Sequence, residues 1–378
     1  MSSRDDTKSE IAPADQGRRE LLKAAGAGVA VAAMGGALAG TAGANPEKPA
    51  RVVRWGIVGT GGIANRMAPS IHAADGGELA AVSSRRMESA REFAEKHGVP
   101  DAFDDWKKMI ASDKVDAVYL AVPTSVCEEI AIAASGQGKH VLVEKPFASL
   151  GSVERIVAAC RENGVGFMDG THFPHLARTR LIRKDMPGLA GRPWSLDSAF
   201  QFNLGDRGNI RYNTKLEPMG AIGDAGWYNM RAAVEFLPDD VELLTADTRM
   251  NRDPETGACL NASGVLRFAD GTTSTWNCGF NSGSVIQELR ITGPEGVVWV
   301  DEFVFIPGQP EMISYRVQQG WESREVEIPY DKNAPTLMYE DFALMLDNPE
   351  MFEASVRATM RTQALLDAAW ESALANET

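Results

Sequence analysis

Four short segments of this chain hold residue types that do chemistry. Gly59-Thr60-Gly61-Gly62-Ile63-Ala64 is a G-x-G-x-x-A. Gly59 permits a tight turn, Gly61 lets backbone approach a pyrophosphate, and Ala64 keeps a following helix close, with the helix N-terminus facing the negative charge. Such a turn alone is a weak signal. Placed after a first apolar run and before a helix, it predicts dinucleotide binding by Gly59, Thr60, Gly61, Gly62, Ile63 and Ala64. The next apolar run ends in Val82-Ser83-Ser84-Arg85-Arg86, without the acidic residue that accepts from a free ribose 2′-hydroxyl. Hydroxyls and guanidinium groups suit a 2′-phosphate, so Ser84 and Arg85 favour NADP over NAD. Glu144-Lys145-Pro146 directly follows Val141-Leu142-Val143. Ligands of open α/β sheets bind beyond the carboxyl ends of strands, where a lysine reaches both nicotinamide and substrate; an exposed lysine in a turn is the plainer alternative. Finally, Asp224 and Tyr228 stand at i and i+4, on one helix face, where a carboxylate and a phenol can converge on a sugar hydroxyl. A helix-starting acid beside a half-buried tyrosine would explain that segment equally.

The elements that must position these residues fall into two patterns. Strands at Val52–Val58, Glu78–Ser83, Val115–Ala121, Val141–Val143 and Gly166–Met168 alternate with helical stretches at 67–74, 88–97 and 152–162. That rhythm predicts βαβ units and a parallel sheet. Past about residue 190, β-rich runs follow one another: 194–202, 241–250, 258–268, 272–280, 286–292 and 297–304. Hairpin turns such as Ala269-Asp270-Gly271-Thr272 make that sheet largely antiparallel. One helix, 224–236, interrupts it, and two close the chain, 337–346 and about 351–373.

Composition sets the outer bounds. The chain has 378 residues, enough for two or three domains, with 44% hydrophobic and 24% charged residues, which excludes a disordered or fibrous chain. A net charge of −14 argues against a nucleic-acid partner, because neutralising phosphates needs a basic face. Residues 24–44 carry no charge but hold six glycines, a weak membrane span. Arg18-Arg19 before them and Ala42-Gly43-Ala44 at their end resemble a twin-arginine export signal over 1–44, giving a mature chain from Asn45 outside the cytoplasm with no membrane span left. Cys127, Cys160, Cys259 and Cys278 lack C-x-x-C spacing, so no metal site is expected. If Ala269 pairs with Thr272, Cys259 faces Ser282 rather than Cys278, and free thiols are expected.

Taken in order, G-x-G-x-x-A, Ser84-Arg85, Ala121-Val122-Pro123-Thr124, Glu144-Lys145-Pro146 and Gly223-Asp224-Ala225-Gly226-Trp227-Tyr228 resemble the motif order of one family, glucose–fructose oxidoreductase / inositol dehydrogenase (Gfo/Idh/MocA), over about residues 51–376. The resemblance implies an α/β chain. Its N-terminal Rossmann dinucleotide-binding domain covers 45–170, and a C-terminal α+β domain with a large, mostly antiparallel, open-faced sheet covers 171–378. It implies Lys145, Asp224 and Tyr228 as the catalytic group, and Pro123, Thr124, Glu144 and Lys145 among the cofactor contacts. The chemistry is hydride transfer between NADP and a sugar, polyol or related carbinol. A phenol titrates near pH 10, a nearby ammonium favours phenolate, and Tyr228 then acts as general acid/base with Asp224 on a neighbouring hydroxyl. The roles of Lys145 and Tyr228 are interchangeable at this level. Met168-Asp169-Gly170-Thr171 with His175 and Arg178 is similar to plant members and makes His175 and Arg178 candidate substrate contacts; packing or capping explains His175 as well. His172-Phe173 replaces an arginine-phenylalanine pair common in the family. Relatives pair through their open sheet faces, so a homo-oligomer is expected. Two alternatives remain: transient use of bound cofactor, as in NAD-dependent glycosidases, and a non-catalytic nucleotide-binding sensor.

Overall fold

From residue 53 to residue 169, short apolar strands alternate with helices that are apolar on one side, and the chain lays the strands side by side in parallel. The computed structural model, which describes residues 49–377, contains in this stretch β1 (Val53–Val58), α1 (Gly62–Ala73), β2 (Gly77–Ser83), α2 (Met87–His97), β3 (Asp101–Phe103), α3 (Trp106–Ile110), β4 (Ala117–Leu120), α4 (Thr124–Gly136), β5 (His140–Val143), α5 (Leu150–Glu162) and β6 (Phe167–Asp169). The export signal read in residues 1–44 lies outside the described residues. Strand order is β3-β2-β1-β4-β5-β6. The order reverses between β1 and β4, which opens a crevice beyond their carboxyl ends. Gly59 stands there with φ +104°, and a Cβ on it would lie 2.4 Å from the Ala121 carbonyl oxygen. Only glycine tolerates both that backbone and that approach.

The rest of the chain adds α6 (Ala177–Leu189), β7 (Ser195–Asn203), α7 (Trp227–Phe236), β8 (Leu243–Arg252), β9 (Cys259–Phe268), β10 (Thr273–Gly279), β11 (Asn281–Thr292), β12 (Val297–Asp301), β13 (Met312–Gln319), β14 (Glu322–Pro329), α8 (Ala334–Met345) and α9 (Pro349–Ala375). The eight strands form one sheet, β14-β13-β12-β11-β7-β10-β9-β8, antiparallel throughout except for the β7–β10 pair. Its apolar face, including Leu196, Trp276 and Leu289, shares a core with Trp227 and Met230 of α7. The same core runs on through Val143 and Phe167 of the parallel sheet. Helix α8 also packs back on that sheet, with Trp55 ring contacts to Tyr339 at 5.0 Å and to Phe342 at 4.8 Å.

Two expectations change. The β9–β10 hairpin pairs Phe268, not Ala269, with Thr272 (2.9 Å), because Ala269-Asp270-Gly271 forms a three-residue loop. Gly271 takes φ +88°, and Asp270 Oδ1 accepts from the Thr272 amide at 2.9 Å. The helix expected from Asp224 begins instead as a π-helical turn, Ile222–Gly226, that runs directly into α7. All four cysteines are buried free thiols.

Candidate active site

Beyond the carboxyl ends of β1, β2, β4 and β5, and facing β7 and α7, lies a cavity of about 2240 Å³. Its cofactor end starts at Gly59, Thr60, Gly61, Gly62 and Ile63; Ala64 is buried behind them in α1. A Cβ at Gly61 or Gly62 would meet nothing within 4 Å. Gly61 also begins α1 without a side-chain cap, so the first amides of that helix are left for another acceptor. Ser83 is fully buried at the wall, and its hydroxyl finds no partner among the described residues. Ser84 Oγ lies 3.4 Å from Thr60 Oγ1, and Arg85 stands exposed at the mouth. Open backbone, an uncapped helix start, spare hydroxyls and a free-standing guanidinium together fit a phosphorylated dinucleotide.

Pro123 lines the same cavity, but Thr124 does not. The Thr124 amide and hydroxyl donate to the Glu217 carboxylate at 3.0 and 2.7 Å. Glu217 thereby caps α4 from 93 residues away, so Thr124 is committed to a helix cap. Glu144 is buried beside Lys145 and accepts from the Tyr119 hydroxyl. Burial pushes its carboxyl up to about 7, against the pull of the Lys145 charge. A Cβ on Gly170 would lie 2.9 Å from Glu144 Oε1, which explains a glycine after Asp169.

Lys145, Asp224 and Tyr228 come together at the end of β5. Lys145 Nζ donates to Asp224 Oδ1 at 2.7 Å and to the Asp224 carbonyl at 2.9 Å. It also sits 4.8 Å from the centre of the Tyr228 ring. The π turn makes this possible: Gly223 lies so close to Met219 and Pro146 that a Cβ there would clash at 2.9 and 3.1 Å. Asp224 meets a second cation, Arg211, with Nε to Oδ2 at 2.7 Å and Nη2 to Oδ1 at 3.1 Å.

The charges follow. Burial would raise the Asp224 carboxyl, but Arg211 and then Lys145 hold it well below the carboxylate range. Burial would lower Lys145, but Asp224 and Tyr228 keep it above its ordinary value. The Tyr228 phenol is raised: burial outweighs the lowering by Lys145. The expected push of Lys145 toward phenolate therefore has the right sign but loses to desolvation.

The structure places His175 and Arg178, the candidate substrate contacts, away from the cavity lining. His175 Nδ1 pairs with Asp341, and Arg178 is buried, donating to the carbonyls of Asp301, Ser314 and Glu302 at 3.2, 3.1 and 2.8 Å. Neither lines the cavity. Two wall residues were not anticipated as site residues. Arg211 lies in a single 3-10 turn, Ile210–Tyr212, that carries no motif. His172 lines the wall with a buried Nε2 that has no partner among the described residues, and burial, then Lys145, push its imidazole down to about 3, so it is neutral. Its only sequence signal was the replaced arginine. Among the described residues no group of three or more His, Cys, Asp or Glu is placed to hold a metal, and no helix is long and apolar enough to cross a membrane.

A parallel sheet with a glycine turn at its switch point, opening onto a buried lysine, aspartate and tyrosine, defines a dinucleotide-dependent oxidoreductase. Residues 53–171 match the family model described as oxidoreductase family, NAD-binding Rossmann fold, and residues 186–299 match the GFO/IDH/MocA C-terminal domain. The chain belongs to the GFO/IDH/MocA oxidoreductase family. It is 32% identical over 266 residues to a dTDP-3,4-didehydro-2,6-dideoxy-alpha-D-glucose 3-reductase of Actinomadura kijaniata, covering 69% of this chain and 78% of the relative. It is 29% identical to the D-xylose 1-dehydrogenase (NADP(+)) 2 of Haloferax volcanii, over 84% of this chain and 97% of that one. A solved 3-ketoreductase of A. kijaniata, in complex with NADP and TDP-benzene, superposes with a TM-score of 0.77 at 26% identity, covering 85% of this chain and 98% of that one.

Proposed function

We propose that this protein is an NADP-dependent oxidoreductase that moves hydride between nicotinamide and a sugar, polyol or related carbinol, with Lys145 and Tyr228 handling the proton. The observation that carries this reading is the buried Lys145–Asp224–Tyr228 cluster in the cavity onto which the glycine turn opens. NADP is supported by Ser83, Ser84 and Arg85 at the end of β2 and by the NADP-dependent relatives named above. Those relatives are reductases and dehydrogenases, so the glycosidase-type cycle and the silent sensor gain no support.

A bound nicotinamide supplies or accepts the hydride. This chain's residues manage the proton and the oxygen's charge. Lys145 stays an ammonium, and its positive charge stabilises negative charge developing on the substrate oxygen. Tyr228 stays a neutral phenol at neutral pH, so in carbonyl reduction it donates the proton. In oxidation it must first lose its own, and Lys145 makes that easier. Asp224, saturated by two cations, holds Lys145 charged and aimed; this replaces the expected role on a substrate hydroxyl. His172 and Arg211 complete the wall near Lys145. The test is reduced-nicotinamide absorbance of the purified protein with NADP or NADPH and a panel of aldoses, polyols and keto sugars. No change with any of them, in either direction, would overturn the reading.

Export by the twin-arginine route is supported by Arg18-Arg19 and Ala42-Gly43-Ala44. Mass spectrometry of the extracytoplasmic fraction should show a chain starting at or near Asn45; full-length chain confined to the cytoplasm, unaffected by lysines at 18 and 19, would refute it. Self-association is supported by the sheet face opposite α7. That face is polar, with Arg290 paired to Asp197 at 2.7 Å and Gln201 bonded to Asn277, so contact there would be made by hydrogen bonds rather than apolar burial. Light scattering showing a monomer at micromolar concentration would count against it.

A further inference from the structure

The wall that faces Lys145 from the second sheet is mainly apolar and aromatic, with Asn203, Ser284 and Gln309 among its rings and aliphatic side chains. Phe200 packs edge-on against Tyr228 with ring centres 5.3 Å apart. From Phe200 the rings continue to Phe202 at 5.4 Å and to Phe305 at 6.1 Å, so an aromatic ladder leads outward from the proposed proton donor. Its outer end is not buried: Phe305 is 40% exposed, and on the same cavity wall Val285 is 53% and Ile210 44% exposed. Large apolar side chains left open on a cavity wall mark where a ligand covers them.

Charge on this wall points the same way. Beyond residue 172 the described cavity lining contains one arginine, Arg211, and no lysine. Arg211 is held by Asp224, and the nearby Glu217 adds a second carboxylate. The other cations of the lining, Arg66, Arg85, Arg86 and Lys145, stand on the parallel-sheet side, three of them on α1 or beyond β2. A diphosphate needs unpaired guanidinium or ammonium groups, or a free helix start, and the one cation on this wall, Arg211, is already held by Asp224.

Resting on the oxidoreductase reading above, we propose that the substrate is an uncharged carbinol carrying an apolar or aromatic substituent, such as an aryl glycoside, rather than a bare sugar or a nucleotide-linked one. The carbinol carbon lies by Lys145 and Tyr228, and the substituent covers Phe305, Val285 and Ile210. An aromatic wall suits this because a sugar's C–H face or an aryl ring gains area and edge-to-face contact there without stranding a polar group.

The experiment measures binding by calorimetry and turnover by nicotinamide absorbance, on the NADP-loaded full chain. Phenyl β-glucoside, glucose and a nucleoside-diphosphate glucose are compared, in the parent and in Phe305→Ala and Val285→Ser. The phenyl glycoside should bind at least roughly tenfold tighter than glucose, and each substitution should move that ratio toward one. Equal binding of the two neutral sugars, or preference for the nucleotide sugar, overturns the proposal. So does a change in light-scattering mass with an unchanged ratio, because the apolar rim would then be an interface between copies. Failure of the underlying reading looks different: the phenyl glycoside binds through Phe305, yet no carbinol or ketone is turned over with either cofactor form.

Discussion

Asp224→Asn tests the electrostatic core of the site most directly, because it removes the charge that two cations share while keeping the side chain's shape. Lys145 has only 6% of its side chain exposed, whereas Arg211 has 34% and can turn to water. The loss therefore falls mainly on Lys145. Removing one partner of a buried ion pair destabilises by about 3–5 kcal/mol, a shift of roughly 10²–10⁴ in the folded-to-unfolded ratio. The pH dependence carries the signature. In the parent, Lys145 is held above its ordinary value and Asp224 below its own, so the pair's stabilisation is in place from above the ordinary carboxylate range up to the ordinary lysine range. In the variant, burial acts on Lys145 unopposed by Asp224 and lowers its pKa. The unfolded chain then binds the extra proton, and stability climbs with pH between the lowered value and about 10.4. Denaturant melts at pH 7 and pH 9 should thus show a large loss at pH 7 that is partly recovered at pH 9. Turnover should fall at neutral pH and fall further on the alkaline side, where the variant's Lys145 loses the charge that stabilises the substrate oxygen, with the Michaelis constant less affected. A loss below about 1 kcal/mol, a slope matching the parent, or a raised Michaelis constant with unchanged turnover would refute this reasoning and return Asp224 to the substrate's hydroxyl.

Tyr228→Phe keeps the ring against Phe200 and removes the proton donor; single-turnover hydride transfer should drop by roughly 10²–10⁴ with cofactor affinity retained, and a near-parental rate would leave Lys145 as the acid/base. Glu144→Gln should flatten a pH dependence of stability: with its carboxyl raised from 4.5 to about 7, the parent loses stability as pH rises through that window, by about 3 kcal/mol at 1.36 kcal/mol per pH unit, and the variant, which keeps an acceptor for Tyr119, should not. Arg85→Ala should cut NADP affinity about tenfold to a hundredfold and leave NAD affinity nearly unchanged, as measured by titration; equal discrimination in both proteins would remove Arg85 from the 2′-phosphate site.

What the sequence made legible was what is encoded locally. The parallel half was readable because each strand is a short apolar run and the glycine turn sits directly behind the first of them. Elements that break that pattern were not. β14 reads Glu-Ser-Arg-Glu-Val-Glu-Ile-Pro, an edge strand whose charges keep it from pairing further, and it looks like a solvated loop. α6 carries Pro187 within its last turn, and α4 opens on a threonine whose cap is the distant Glu217. The site divides along the same line. Lys145, Asp224 and Tyr228 lie in motifs, but Arg211, which sets the charge of Asp224, lies in none. His175 and Arg178 were candidate substrate contacts through the resemblance to plant members; their partners, Asp341 and the carbonyls of Asp301, Glu302 and Ser314, lie more than 120 residues away, where no local pattern points to them.

The protonation of the site shows why residue identity alone was insufficient. A lysine beside a tyrosine suggests a lowered phenol, and Lys145 does pull in that direction. The sign of the net effect depends on how much water the fold removes, and here Phe200, Phe173 and the body of α7 bury the ring. Desolvation raises the phenol, raises Glu144 and neutralises His172, while Asp224 stays ionised because two cations meet it. The resting site therefore pairs a proton-bearing phenol with a fixed ammonium, an arrangement set to protonate an oxygen as hydride arrives at the adjacent carbon. Running the other way requires the phenol to ionise first. The same residues thus predict a forward and a reverse pH optimum that differ, with oxidation rising toward alkaline pH and reduction holding through neutrality.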